Sequence, residues 1–153
     1  MSANIVYQKC IDKGLTIAFA ESMTGGGACY EMVQIPGASK VVLGGMIVYQ
    51  NEFKNTWLKI DKNIIDQYGV VSDYVARKMA SSIRDLIHAD IGIGITGNAG
   101  PTMQDERAGL SAFISIFFKE TFYDMQMIFE DLTREEALQL TIQSLYEKLA
   151  EIL

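Results

Sequence analysis

Polar and apolar positions alternate along the chain in a way that changes period repeatedly, and those changes mark the elements. Residues 3 to 13 have an amphipathic helical pattern with Ile5, Val6, Cys10 and Ile11 inward, closed by Gly14 as a C-cap. Leu15 to Phe19 is a short apolar run suited to an inner strand, and Ala28 to Gln34 returns to helix before the turn signal Ile35-Pro36-Gly37. Val41 to Tyr49 is β-branched and apolar, with Gly44-Gly45 marking a bulge or a close backbone approach. Asn51 is the expected N-cap of the next helix, and Asp61 to Tyr68 is a short polar helix closed by Gly69.

The strongest periodicity follows. Ser72 caps a helix to Ala89 with Val75, Met79, Ile83, Leu86 and Ile87 on one face. Ile91 to Thr96 is a strand whose alternating glycines let a helix lie closely upon it, and it runs into the small-residue loop Gly97 to Pro101. Leu110 to Phe118 and Phe122 to Phe129 predict a hairpin. Thr133 then caps a final helix with Leu138, Ile142, Leu145, Leu149 and Ile152 inward, a stripe that also suits a helix pair between subunits. This order predicts an α/β fold with a layered sheet of about five strands, mostly parallel, with an antiparallel edge hairpin. The Ser22 and Gly97 loops both follow strands, so they are expected to open at the same sheet edge.

Composition narrows the function more than the fold. A chain of 153 residues with 49% hydrophobic content fits one domain, 1–153, with a sizeable core. Its net charge of −6 and scattered Lys and Arg argue against a nucleic-acid surface, while leaving room for a single nucleotide-sized anion. No apolar run approaches a membrane span, and Met1 to Lys13 lacks the apolar core of a signal peptide. Cys10 and Cys29 lie within expected helices, which points to reduced thiols and a cytoplasmic location. One histidine, His88, ends a helix, and no Cys/His cluster is present, so neither a metal nor another cofactor is expected.

The stretch richest in chemistry is Ala20-Glu21-Ser22-Met23-Thr24-Gly25-Gly26-Gly27. A strand that turns through glycines into a helix leaves backbone N–H groups open to an anion or an oxyanion. Ser22 is placed there as a candidate nucleophile, although the octapeptide alone favours a helix-capping role for Ser22 or Thr24. Tyr49 and Lys54 fall on either side of a strand-to-helix junction, where side chains commonly face a shared cleft.

These residues resemble a known family, the C-terminal domain of the competence-damage-inducible protein CinA. The resemblance covers nearly the whole chain. It rests on Ala20-Glu21-Ser22 with Thr24-Gly25-Gly26, on Pro36-Gly37-Ala38-Ser39, and on Leu43-Gly44-Gly45 leading to Tyr49, Asn51-Glu52 and Lys54. Val71-Ser72 with Val75-Ala76, and Ala89-Asp90 leading to Thr96-Gly97 and Ala99-Gly100-Pro101, complete it.

What the resemblance implies is a three-layer αβα domain that, in many members, is a nicotinamide-nucleotide amidohydrolase converting nicotinamide mononucleotide and water to nicotinate mononucleotide and ammonia. The family's catalytic serine, tyrosine and lysine fall on Ser22, Tyr49 and Lys54. Thr24, Gly25, Gly26, Thr96, Gly97, Gly100 and Arg134 are the expected substrate-binding positions, with the Gly97–Pro101 loop at the ribose phosphate. A homo-oligomer is expected, with a small-molecule nucleotide as substrate and neither nucleic acid nor membrane as partner. The chain departs from the family in three places. Met23 stands where a cysteine is common, residues 102–109 replace a longer glycine-rich stretch, and Leu138 stands where a second arginine follows Arg134 by about a turn. The change at Met23 is neutral, whereas the altered loop and Leu138 favour an alternative, a non-catalytic nucleotide-binding or scaffold protein with a degenerate pocket.

Overall fold

The computed structural model describes residues 2–153, and its elements follow the expected order. Helix α1 (Ser2–Lys13) leads into strand β1 (Ile17–Glu21), helix α2 (Gly27–Val33) and strand β2 (Val42–Ile47). Helices α3 (Asn51–Leu58), α4 (Lys62–Tyr68) and α5 (Asp73–Ile87) come next, then β3 (Ile91–Asn98), β4 (Ser111–Phe118), β5 (Thr121–Ile128) and α6 (Arg134–Ile152). The five strands form one sheet in the order β2-β1-β3-β4-β5. β2, β1 and β3 pair in parallel, whereas β3/β4 and β4/β5 pair antiparallel, so the hairpin forms one side of an otherwise parallel sheet.

Residue size on each side of the central strands decides the layering. Ile17, Phe19, Ile91, Ile93 and Ile95 point to one face, into a core completed by α1, α2 and α6. Ala18, Ala20, Gly92 and Gly94 point to the other. A Cβ on Gly92 would lie 2.1 Å from the Ala80 carbonyl oxygen, and one on Gly94 2.1 Å from that of Ala76. The small side chains therefore let α5 lie directly on the sheet, with Val75, Met79 and Ile83 fully buried. At the hairpin, Lys119 and Glu120 both have positive φ (50° and 59°), the signature of a two-residue turn that matches strand twist.

Several expected positions are corrected. In α1 the buried row is Ala3, Val6 and Cys10, which faces α6 and α2, while Ile5 and Ile11 fall off that row and are exposed. Leu86 is exposed near the end of α5, because its neighbours Ile83 and Ile87, not Leu86, carry the row that faces the sheet, Ile87 reaching Gly44 of β2. The N-cap of α3 is Gln50, without a side-chain bond, and Asn51 is already helical. In α6 the buried row is Ala137, Thr141, Leu145, Tyr146 and Leu149, leaving Leu138, Ile142 and Ile152 half-buried at its margin. The small Ala137 and Thr141 draw the helix close, and the Tyr146 hydroxyl donates to the Ala28 carbonyl. The helix caps were more legible: Ser72 accepts from the Val75 N–H, and Thr133 forms a capping box with Glu136. Among the described residues no helix is long and apolar enough to cross a membrane.

Candidate active site

β1 and β3 end side by side, with Glu21 paired to Ile95, so the chain leaves both strands toward one cleft. Ser22 extends the ladder by one bond, donating its N–H to the Ile95 carbonyl at 3.0 Å, and then turns. Its own carbonyl accepts the Gly25 N–H, and Gly25 and Gly26 take φ of 59° and 96°, conformations that side chains resist. Gly97 brings the second loop against this turn. A Cβ there would meet Met23 Sδ at 2.2 Å.

β2 supplies the other half. The Val48 N–H donates to the Glu21 carbonyl at 2.8 Å, which fixes the start of the β2–α3 junction beside Ser22. Lys54, in α3, points back under that junction and is fully buried. Its Nζ donates to Ser22 Oγ at 3.0 Å, to the Val48 carbonyl at 2.7 Å and to the Tyr49 carbonyl at 3.2 Å. Burial, with no carboxylate paired to it among the described residues, lowers the Lys54 pKa from 10.5 to about 8. The geometry suits both protonation states. A neutral amine can give its two N–H bonds to the carbonyls and turn its lone pair to the Ser22 hydroxyl; an ammonium donates to all three.

Ser22, Met23, Tyr49, Gly97, Asn98 and Arg134 border a cleft of about 200 Å³, with Thr102, Met103 and Gln104 also in its wall. Ser22 and Lys54 thus touch directly, while the Tyr49 phenol stands at the mouth and accepts from Arg134 Nη2 at 2.8 Å. Arg134 Nη1 donates to the Gly100 carbonyl at 2.9 Å, so this one side chain joins three segments around the opening. Of the other expected binding positions, Gly97 borders the cleft and Gly100 reaches it through Arg134. Thr96 does not: it lies on the α5 face, fully buried, with its hydroxyl on the Val70 carbonyl. Thr24, Gly25 and Gly26 contribute no side chain to the cleft lining, and the Thr24 hydroxyl is bound to the Glu21 carboxylate. Arg107 is tied to Asp105 at 3.0 Å and is absent from the lining. Leu138, a turn beyond Arg134, packs at the margin of the core that includes Met23 and Ala28.

The expectation that the start of α2 offers its N–H groups to an anion is corrected. Glu21 already occupies it, accepting from the Ala28 and Cys29 N–H groups at 2.9 and 3.0 Å. Among the described residues, the unpaired donors of this loop nearest Ser22 are the N–H groups of Met23 and Thr24. Sequence reasoning also passed over Asn98. Its side-chain oxygen accepts from the Gln104 N–H at 2.9 Å, and its amide donates to the Asp105 and Gly109 carbonyls at 2.8 Å. The compact 102–109 loop is wound around this one buried amide. The visible signal was an amide side chain at a strand end followed by Gly and Pro.

The whole chain, residues 1–153, matches the family model for the CinA C-terminal domain. The chain belongs to the CinA C-terminal domain family. Protein MG115 homolog of Mycoplasma pneumoniae is 31% identical over 153 residues, covering 100% of this chain and 98% of that protein. A CinA-like protein of Gloeothece citriformis is 44% identical over 98 residues, which are 64% of this chain and 24% of that protein. Against such longer CinA relatives the chain spans only about a quarter of their length. Among solved structures, the competence or damage-inducible protein of Enterobacter asburiae superposes with a TM-score of 0.93 at 24% identity, over 99% of this chain and 95% of that one. The competence/damage inducible protein CihA of Agrobacterium tumefaciens gives 0.92 at 25% identity, over 97% and 91%. The layered α/β fold is therefore that of the CinA superfamily.

Proposed function

We propose that this CinA-family domain is a serine amidohydrolase acting on nicotinamide mononucleotide. The observation that carries the reading is the buried Lys54 amine 3.0 Å from Ser22 Oγ, with its pKa lowered to about 8. A serine hydroxyl attacks a carboxamide only when a base takes its proton, and a lysine serves as that base only when neutral. In this reading Ser22 Oγ bonds to the carboxamide carbon as its proton passes to Lys54. The N–H groups of Met23 and Thr24 face the developing oxyanion. Collapse breaks the C–N bond, Lys54 returns the proton to the departing nitrogen, and ammonia leaves an ester on Ser22. Water then adds with Lys54 again as base, and Ser22 departs with the proton, leaving nicotinate mononucleotide. Tyr49 orients the substrate or relays a proton at the mouth, and Arg134 provides the charge for the phosphate.

One observation favours a second reading. A cleft of about 200 Å³ is smaller than the roughly 300–1,000 Å³ usual for ligand sites, and Leu138 offers no charge, as expected of a binding or scaffold protein with a reduced pocket. Ammonia release from nicotinamide mononucleotide, nicotinamide riboside, NAD and unrelated amides separates the two. Turnover of the mononucleotide above the others supports the amidohydrolase; no release from any of them leaves the second reading.

A further inference from the structure

Beside Ser22 lies a buried acid that the proposed chemistry does not use. Glu21 is 1% exposed, and among the described residues no cation pairs with it. Its carboxylate is held by three donors, the Thr24 hydroxyl at 2.6 Å and the Ala28 and Cys29 N–H groups. A buried acid is tolerated when its acceptors are satisfied, but it is a costly way to cap a helix. A serine or aspartate at the N-cap would serve α2 alone; that position is Gly26, which has no side-chain cap.

A cap reaching forward from the strand does something a local cap cannot. It ties Thr24 and the first turn of α2 to the rigid end of β1, on either side of the two-glycine segment Gly25-Gly26 that would otherwise leave the turn loose. Between Glu21 and its tether at Thr24 sit Ser22 and the unpaired N–H groups of Met23 and Thr24. We propose that Glu21 is a positioning residue that holds these two N–H groups toward the carbonyl oxygen of the substrate. This rests on the reading of Ser22 as a nucleophile. It also explains why α2 does not compete with Arg134 for an anionic group, since its N-terminus is already filled.

The test compares the wild type with Glu21→Gln, which keeps the side-chain size but replaces an acceptor oxygen with a donor, and with Thr24→Val, which removes one tether. The measurements are kcat and KM for amide hydrolysis, the melting temperature, and the rate at which a fluorophosphonate labels Ser22. In that labelling Oγ bonds to phosphorus, fluoride leaves, and Lys54 accepts the proton. Loss of aligned oxyanion donors lowers kcat by about tenfold or more in Glu21→Gln and a few-fold in Thr24→Val, with KM within about twofold and labelling slowed in parallel. A merely structural role would lower the melting temperature without that split. Unchanged kcat in a folded Glu21→Gln, or in Thr24→Val if the first variant does not fold, overturns the proposal, as does a loss confined to KM. A reactive wild type with equally reactive variants removes only the role of Glu21. A wild-type Ser22 inert to both amide and phosphonate removes the hydrolase reading and this one together.

Discussion

The floor and the mouth of the cleft are built in opposite ways. On the floor, Ser22 and Lys54 are 2% and 0% exposed, and their positions are set by backbone bonds: Ser22 to Ile95, Val48 to Glu21, and the Lys54 amine to two carbonyls. At the mouth, Tyr49 and Arg134 are exposed, and the Tyr49 phenol is held by the Arg134 side chain, which itself rests on one backbone carbonyl, that of Gly100. Backbone-fixed groups keep their geometry when a neighbour changes, whereas an exposed side-chain bond of this kind is worth little and is easily exchanged for a ligand. Under the proposed function, bond-making falls to the floor and selection to the mouth. Changes on the floor should fall on kcat, and changes at the mouth on KM.

The largest effect should come from the floor. Ser22→Ala and Lys54→Ala are expected to lower kcat at least about a hundredfold each, the scale of losing a nucleophile or a positioned base. The double variant should be little worse than either single one, because the two residues act as a unit. Steady-state kinetics with nicotinamide mononucleotide decide this; a near-wild-type Ser22→Ala rate would break the division at its root.

Next in size is the pH response. With the Lys54 pKa near 8, the neutral base is a minor form at pH 7 and the major one at pH 9, so kcat/KM should rise about tenfold across that interval and then level off. Stability carries the same signature. The folded pKa lies below the unfolded value of 10.5, so the unfolded chain binds more protons between about 8 and 10.5, and Lys54 contributes increasing stability as pH rises through that window. Below it, burying the charge costs on the order of 3 kcal/mol. Lys54→Met should therefore gain stability relative to the wild type at pH 7 and lose that gain near pH 10.5, as measured by urea unfolding at both pH values. A pH-independent difference would mean that Lys54 is not the buried base described.

The two regions also differ in how far the sequence revealed them. That Ser22, Tyr49 and Lys54 would share one cleft was legible because each sits at a strand-to-helix junction and a parallel sheet gathers the ends of its strands at one edge, whereas a catalytic role for them came from the family resemblance. Local pattern could not show which side chain at a junction turns inward. Lys54 in a first helical turn looks like a solvated residue until the Val48 and Tyr49 carbonyls are seen beneath it. Glu21 was hidden for a related reason: its partners lie three, seven and eight residues ahead, across a loop whose path depends on two positive-φ glycines. The helical stripes were legible to about one residue. In α6 the row shifted from Leu138 and Ile142 to Ala137 and Thr141, because hydrophobicity marks large residues while close approach selects small ones. Thr96 was misplaced by the alternation of its strand, which sends every second residue to α5 and away from the cleft.

At the mouth, Arg134→Ala should raise KM for the mononucleotide by roughly ten- to a hundredfold, the scale of one charge-assisted contact, with kcat changed far less. Tyr49 and Gly100 would be released by the same change, so Arg134→Lys is the sharper variant. It keeps the charge but loses the planar fork that serves both partners. If lysine restores KM, charge alone is what the mouth supplies. If it does not, the fork is needed to hold the opening in shape.

The smallest expected effect is the one that probes the departure at position 138. Leu138 lies a helical turn beyond Arg134, half-buried at the margin of the core, with Ile142 a turn further and pressed close to Gly27. This places it on the stripe of α6 that runs from the cleft over the Ser22 loop, at the margin of the core and not within it. A long side chain can leave such a position with its stem packed and its charge in water. Leu138→Arg should therefore fold, with a stability loss of about 1–2 kcal/mol from the lost leucine packing. A second charge near the mouth should lower KM for nicotinamide mononucleotide a few-fold, less than Arg134→Ala raises it, because the new arginine arrives without partners to fix its fork. Nicotinamide riboside, which lacks the phosphate, should show no change in KM. An equal gain for both substrates would mean that the added arginine acts on the shape of the opening and not on the phosphate, and the mouth would then select by fit and not by charge.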